Sequence, residues 1–147
     1  MVKKICNHCG KIYVGEECEC RKKNKKYTNT KNYYNTPRWK RLSKFIRERD
    51  YNQDRLAMYL SAVNVDDNEI KKLKEFLVLP GNIPRMFDGL IIVHHIIPVD
   101  EDESLMYEPS NLISLKKDTH EYIHKLYKTK NKKKIQELLR NAVKFGL

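Results

Sequence analysis

Nowhere does this chain of 147 residues carry an apolar run near the ~20 residues a membrane span needs; the longest, such as LIIV at 90–93, are far shorter. The amino-terminal MVKKICNHCG also lacks the apolar stretch of a signal peptide, so a soluble protein of the cytoplasm is expected. Cysteine is missing after position 20, which argues against a secreted scaffold stapled by disulfides along its length. Negative charge is scarce: 19 acidic residues face 30 lysines and arginines, for a formal charge of +11. That imbalance biases the partner toward a polyanion, nucleic acid first. No internal repeat is evident, and the length suits one domain with at most one small appended module.

What is present divides into segments. Cys6, Cys9, Cys18 and Cys20 lie in residues 1–22, and the stretch that follows, through residue 36, has no aliphatic residue to bury, so 23–36 reads as a solvated basic linker. Thr36 and Pro37 then supply an N-cap and a first helical position for PRWKRLSKFIRERD, whose apolar face is expected to be Trp39, Leu42, Phe45 and Ile46. Two further short helices are predicted between about 53 and 79, the second started by Asp66 or Asp67 and ended by Pro80, Gly81 and Pro84. LIIVHHIIPV at 90–99 and NLISL at 111–115 read as strands on their β-branched content, with an acidic loop between them. Helical patterning returns from Lys117, and a basic helix at about 131–145 closes the chain. The class is α+β.

Histidine carries the chemistry. Of five, four fall within 31 residues: His94, His95, His120 and His124. His120 and His124 are four apart, so on a helix they share a face and can close on one cation. Neighbours on a regular strand point to opposite faces, so His94 and His95 can serve one site only where the strand ends or distorts. Phosphodiester hydrolysis needs a Lewis acid, a base that is neutral near physiological pH and something to hold that base. A histidine suits the base, and Asn111 can bond its ring or pin the intervening loop without adding charge.

The segment VHHIIPVDEDESLMYEPSNLISLKKDTHEYIH at 93–124 resembles the motif of HNH endonucleases, the ββα-metal nucleases of phages and mobile elements. With the upstream helix the likeness covers about a third of the chain. It implies a small treble-clef-like ββα-metal core within 37–147, with the predicted helices at 53–79 as an insertion. It further implies that His94, His120 and His124 are metal ligands, that His95 is the general base, and that Asn111 constrains loop and base. The implied activity is hydrolysis of double-stranded DNA with one divalent cation (Mg, Mn, Ni, Co or Zn), leaving a 5′ phosphate and a 3′ hydroxyl. Packaging, restriction or homing in a bacterial host is the implied setting, with phage packaging proteins as possible partners and a monomer or weak dimer as the working form. A non-cleaving DNA-binding accessory on the same scaffold is the other reading; it would be expected to lack a base or ligand, and all four histidines are present.

Many phage-type relatives brace this motif with a zinc held by two CxxC pairs, and here both are missing. Lys116 and Thr119 stand where the second pair would be. Apolar packing by Leu56, Tyr59, Leu60, Leu73, Phe76 and Leu77 is the expected substitute. The four amino-terminal cysteines read as a zinc knuckle, with Gly10 permitting the turn after CNHC and His8 an alternative ligand; unliganded thiols are the other reading. Phosphate contacts are expected from Lys22, Lys23, Lys25 and Lys26 and from Arg38, Lys40, Arg41 and Lys44 on the first helix, with steep weakening by salt.

Overall fold

The computed structural model describes residues 2–6, 10–16, 18–19, 33–86 and 88–146. The chain divides into two compact units, Met1–Lys40 and Arg41–Leu147. The division falls inside a helix, a few residues beyond the linker end expected at 36.

In the first unit, strands β1 (Lys3–Ile5) and β2 (Ile12–Val14) pair antiparallel, Lys3 opposite Val14 and Ile5 opposite Ile12. Their turn is tied by Gly10 N–H donating to the Cys6 carbonyl (2.8 Å) and Cys6 N–H to that of Lys11 (2.9 Å). Gly10 sits at φ 72°, a conformation a residue with a Cβ adopts only under strain. Ile5 and Ile12 are exposed, whereas Cys6 and Cys18 are buried. Cys9, Cys20, His8 and the basic linker residues Lys22, Lys23, Lys25 and Lys26 lie outside the described residues. Helix α1 (Pro37–Arg49) opens as expected, with Thr36 Oγ accepting from Trp39 N–H (3.2 Å). Trp39 is buried edge-on against Tyr33, ring centroids 5.2 Å apart, and is not offered as an exposed stacking platform.

The second unit is built on helices α2 (Arg55–Ala62), α3 (Asn68–Leu77), α4 (Lys117–Tyr127) and α5 (Lys132–Lys144) around strands β5 (Ile91–His95) and β6 (Leu112–Lys116). Asp54 and Asp67 cap α2 and α3 through their carboxylates. The end of the predicted second helix is instead strand: β3 (Val78–Leu79) pairs with β4 (Ile83–Pro84) across the turn that Pro80 and Gly81 make. Strands β5 and β6 pair antiparallel, with His94 opposite Ile113 and His95 opposite Leu112. Alternation then sends Ile113 and Leu115 into a core filled by Leu56 and Leu60 of α2, Leu73 and Leu77 of α3, Ile123 of α4 and Leu139 of α5. Tyr59 and Phe76 pack against its margin. No described helix is long and apolar enough to cross a membrane.

Apolar packing is only half of what holds the hairpin; the outer edge of β6 is closed by side chains. Asp50 accepts from Ser114 N–H (2.9 Å), Asp54 from Lys116 N–H (3.0 Å), and Arg49 donates to the carbonyls of Pro109 (2.9 Å) and Leu112 (2.8 Å). Arg49 also grips Asp50 with two parallel bonds of 2.8 and 2.9 Å. An open strand edge leaves alternate N–H and C=O groups in need of partners, and here carboxylates and a guanidinium supply them in place of a third strand. Burial pushes the Asp54 carboxyl up from its ordinary value, while the Thr119 hydroxyl and the N–H groups of Ala57 and Lys116 hold it down. This polar clasp was not expected from sequence. It also corrects the expected face of α1: the buried positions are Trp39, Ser43 and Ile46, with Asp50 just beyond, and Phe45 is 54% exposed.

Candidate metal centre

The histidine pair occupies the last two positions of β5, where the regular strand stops. His94, opposite Ile113, faces the side covered by α4; His95, opposite Leu112, faces the other. Beyond the pair, Ile96 N–H donates to the Asn111 carbonyl (2.8 Å). The Asn111 side chain then bonds both backbone groups of Ile97, accepting from its N–H (2.8 Å) and donating to its carbonyl (3.0 Å), with a longer contact to the Leu105 carbonyl (3.4 Å). Of the two roles open to it from sequence, Asn111 therefore takes the loop-pinning one.

The His95 ring is held by the main chain. Its Nε2 lies 2.9 Å from the Met106 carbonyl, a contact that needs the ring proton on Nε2 and so places the basic lone pair on Nδ1. Burial lowers the His95 pKa, against a smaller opposing pull from that carbonyl, and favours the neutral ring.

On the other side, α4 presents His120 and His124 toward His94. Ring centroids are 5.2 Å from His94 to each and 4.3 Å between the two helical rings. One ligand nitrogen from each of the three residues lies within 4.8 Å of the others, close enough for the three to be drawn onto one ion. The Nε2 atoms of His120 and His124 are 3.0 Å apart. Burial holds His94 well below the ordinary histidine value, and the neighbouring imidazoles His120, His124 and His95 push the same way. Burial, then His124, lowers His120, partly offset by Glu121. Three imidazoles with convergent nitrogens, two of them only 3.0 Å apart, make a donor set that one divalent cation can share.

Two side chains that the sequence did not single out complete the region. Tyr127 Oη lies 3.4 Å from His94 Nε2 and donates to the Ile96 carbonyl (2.7 Å); buried Gln136 of α5 reaches the same carbonyl from Nε2 (3.2 Å). Burial raises the Tyr127 pKa, which keeps the phenol protonated as a donor. Tyr127 follows His120 and His124 at helical spacing, and Gln136 interrupts an apolar run, so both left a trace in the sequence. The Met106 carbonyl left none.

The four helix cations proposed for DNA, Arg38, Lys40, Arg41 and Lys44, are all exposed, and Lys44 stands 3.9 Å from Glu48. Arg38 and Lys40 belong to the first unit and Arg41 and Lys44 to the second. No family model, curated protein or solved structure matches the chain.

Proposed function

We propose that this protein is a metal-dependent DNA endonuclease built on an HNH-type ββα core. The observation that carries the reading is the pairing of two differently prepared histidine sets on one strand end. Three imidazoles converge as candidate ligands, while a fourth, His95, holds its Nε2 2.9 Å from a main-chain carbonyl and so carries its basic lone pair on Nδ1.

In this mechanism His94, His120 and His124 would hold the cation, and an all-imidazole donor set would favour Zn, Ni, Co or Mn over Mg. When bound, the ion supplies Lewis-acid stabilisation of charge on the phosphate and on the leaving oxygen. His95 Nδ1 takes a proton from the water that attacks phosphorus. The new P–O bond forms as the bond to the 3′ oxygen breaks, and that oxygen leaves and takes a proton from solvent water to become a 3′ hydroxyl, with the phosphate on the 5′ side. The Met106 carbonyl keeps the His95 ring in the productive tautomer, and Asn111, by tying Ile97 to β6, fixes the turn from which His95 projects. Positively charged surface draws in the duplex.

Residues 1–22 are proposed to form a zinc knuckle held by Cys6, Cys9, Cys18 and Cys20. Support comes from the burial of Cys6 in the turn of a hairpin whose isoleucines are exposed, from the burial of Cys18, and from the left-handed Gly10 that turns the chain back after CNHC. A unit this small gains little from apolar burial, so metal–thiolate bonds suit it.

The test is a supercoiled-plasmid assay across Mg, Mn, Co, Ni and Zn. His95→Ala is expected to lose at least about 100-fold in cleavage, the scale of a missing general base, while still binding duplex. Cleavage at the wild-type rate by that variant would remove His95 as base; failure of the wild type to cut with any of the ions would leave the non-cleaving DNA-binding reading.

A further inference from the structure

Helix α5 carries a second polar stripe that the mechanism above does not use. Gln136, Arg140 and Lys144 recur every four residues and so lie one above another on one face. The first, Gln136, bonds the Ile96 carbonyl beside the histidine pair. Arg140 and Lys144, one and two turns further on, line a cleft of about 300 Å³ whose opposite wall includes Ile97, Leu105 and Asn111. That wall is the turn which Asn111 pins and which leads to Met106.

Two other cations of the helix are already engaged. Lys132 is paired with Glu101 and Lys134 with Asp67, whereas neither Arg140 nor Lys144 meets a carboxylate among the described residues. Both are exposed. Arg140 is also close enough to the Tyr127 phenol to favour its ionised form, which places its charge near the residue beside His94. Across the cleft, the lining residue Ser110 donates its Oγ to Glu108 at 3.2 Å, while Arg140 and Lys144 make the α5 side positive, and an anion would enter there.

We propose that this cleft binds a backbone phosphate of the DNA strand flanking the one to be cut, with Arg140 and Lys144 as its cations. Arginine offers a planar fork suited to two phosphate oxygens and lysine a point charge, and neither has to give up a protein partner to bind. The role is positional: the strand is anchored beside the His95 turn, away from the reacting atoms. The inference rests on the nuclease reading for its substrate, but its test does not depend on cleavage.

Duplex binding by the full chain would be followed by fluorescence anisotropy from 50 to 200 mM salt in a His95→Ala background, so that metal stays bound without turnover. Adding Arg140→Gln and Lys144→Gln is expected to lower the log–log salt slope by about 0.9 per lost contact, up to ~1.8 for the pair. Lys71→Gln, an exposed cation on α3 outside the cleft, is expected to leave the slope in place. In the background with His95 intact, Arg140→Gln should raise KM while kcat at saturating DNA holds within about twofold. An unchanged slope in the double variant would overturn the proposal, as would an equal fall from Lys71→Gln or a wild type that does not bind duplex. A protein that binds with the expected slopes yet never cuts would retire the nuclease reading and leave the phosphate cleft standing.

Discussion

On the outer edge of β6, buried Asp50 and Asp54 receive N–H donors from Arg49, Ala57, Ser114 and Lys116; at the end of β5, buried His94 faces His120 and His124, whose nitrogens point at one another. Both clusters are polar and both border the same hairpin. They differ in what answers them: backbone N–H donors and a guanidinium meet the carboxylates, whereas His120 and His124 meet nitrogen to nitrogen at 3.0 Å. A buried polar group with all partners supplied fixes structure, because it has nothing left to exchange. Imidazoles whose nitrogens converge can exchange those contacts for a shared cation, and a group with something to exchange is a mark of chemistry.

The largest expected effect comes from breaking the completed cluster. Asp50→Ala leaves the Arg49 guanidinium without its carboxylate and the Ser114 N–H without an acceptor, and should cost about 3–5 kcal/mol in denaturant unfolding. The matching change on the other side, His120→Ala at a half-buried position, should cost less than ~1 kcal/mol yet remove divalent-ion binding measured by calorimetry. Reversal of that order, with His120 governing stability and Asp50 governing ion binding, would dissolve the distinction between the clusters.

A smaller effect is expected from pH. Burial depresses the His94 pKa, and His120, His124 and His95 are the titratable groups that act on it in the same direction; Tyr127 faces it as a neutral phenol. A histidine with a depressed folded-state pKa binds protons more readily when unfolded. Its contribution to stability is therefore fully present above the unfolded value near 6.5 and is lost as pH falls from there toward the folded value. With divalent ions chelated, the urea midpoint should fall between pH 7 and pH 5, and His94→Ala should flatten that fall. A midpoint rising over the same interval would mean the cluster gains more from protonation than it loses.

The histidine arrangement was legible because its parts are local in sequence: a pair at the end of a β-branched run and an i, i+4 pair on a helix. The demand that β5 stop at the pair followed from strand alternation alone. Asn111 was legible as a residue but ambiguous in role, since one amide can satisfy a ring or a turn and only distances decide. The clasp of Arg49, Asp50 and Asp54 was not legible. Its bonds reach Pro109, Leu112, Ser114 and Lys116 across some sixty positions, and acids and bases near a helix end read from sequence as ordinary caps and solvated charge. Val78 and Leu79 were misassigned to helix because a two-residue strand carries no period of its own.

The smallest expected effect concerns α1, where the sequence favoured Phe45 as a core residue and the structure turns another face inward. A phenylalanine on an amphipathic helix attracts that assignment on hydrophobicity alone. Its neighbour Ile46 is fully buried, and the Ile46 carbonyl lies 3.4 Å from Ser114 Oγ on the clasped strand. The buried line through Ser43, Ile46 and Asp50 is thus set by where α1 must meet β6, and Phe45 is rotated out of it. Phe45→Ser should shift stability by no more than about 0.5 kcal/mol, as at other exposed positions, whereas Ile46→Ala should cost about 2–5 kcal/mol. Urea unfolding of the two variants measures the difference; a loss at Phe45 approaching that at Ile46 would return the apolar stripe to the face read from sequence and leave the polar clasp a minor support.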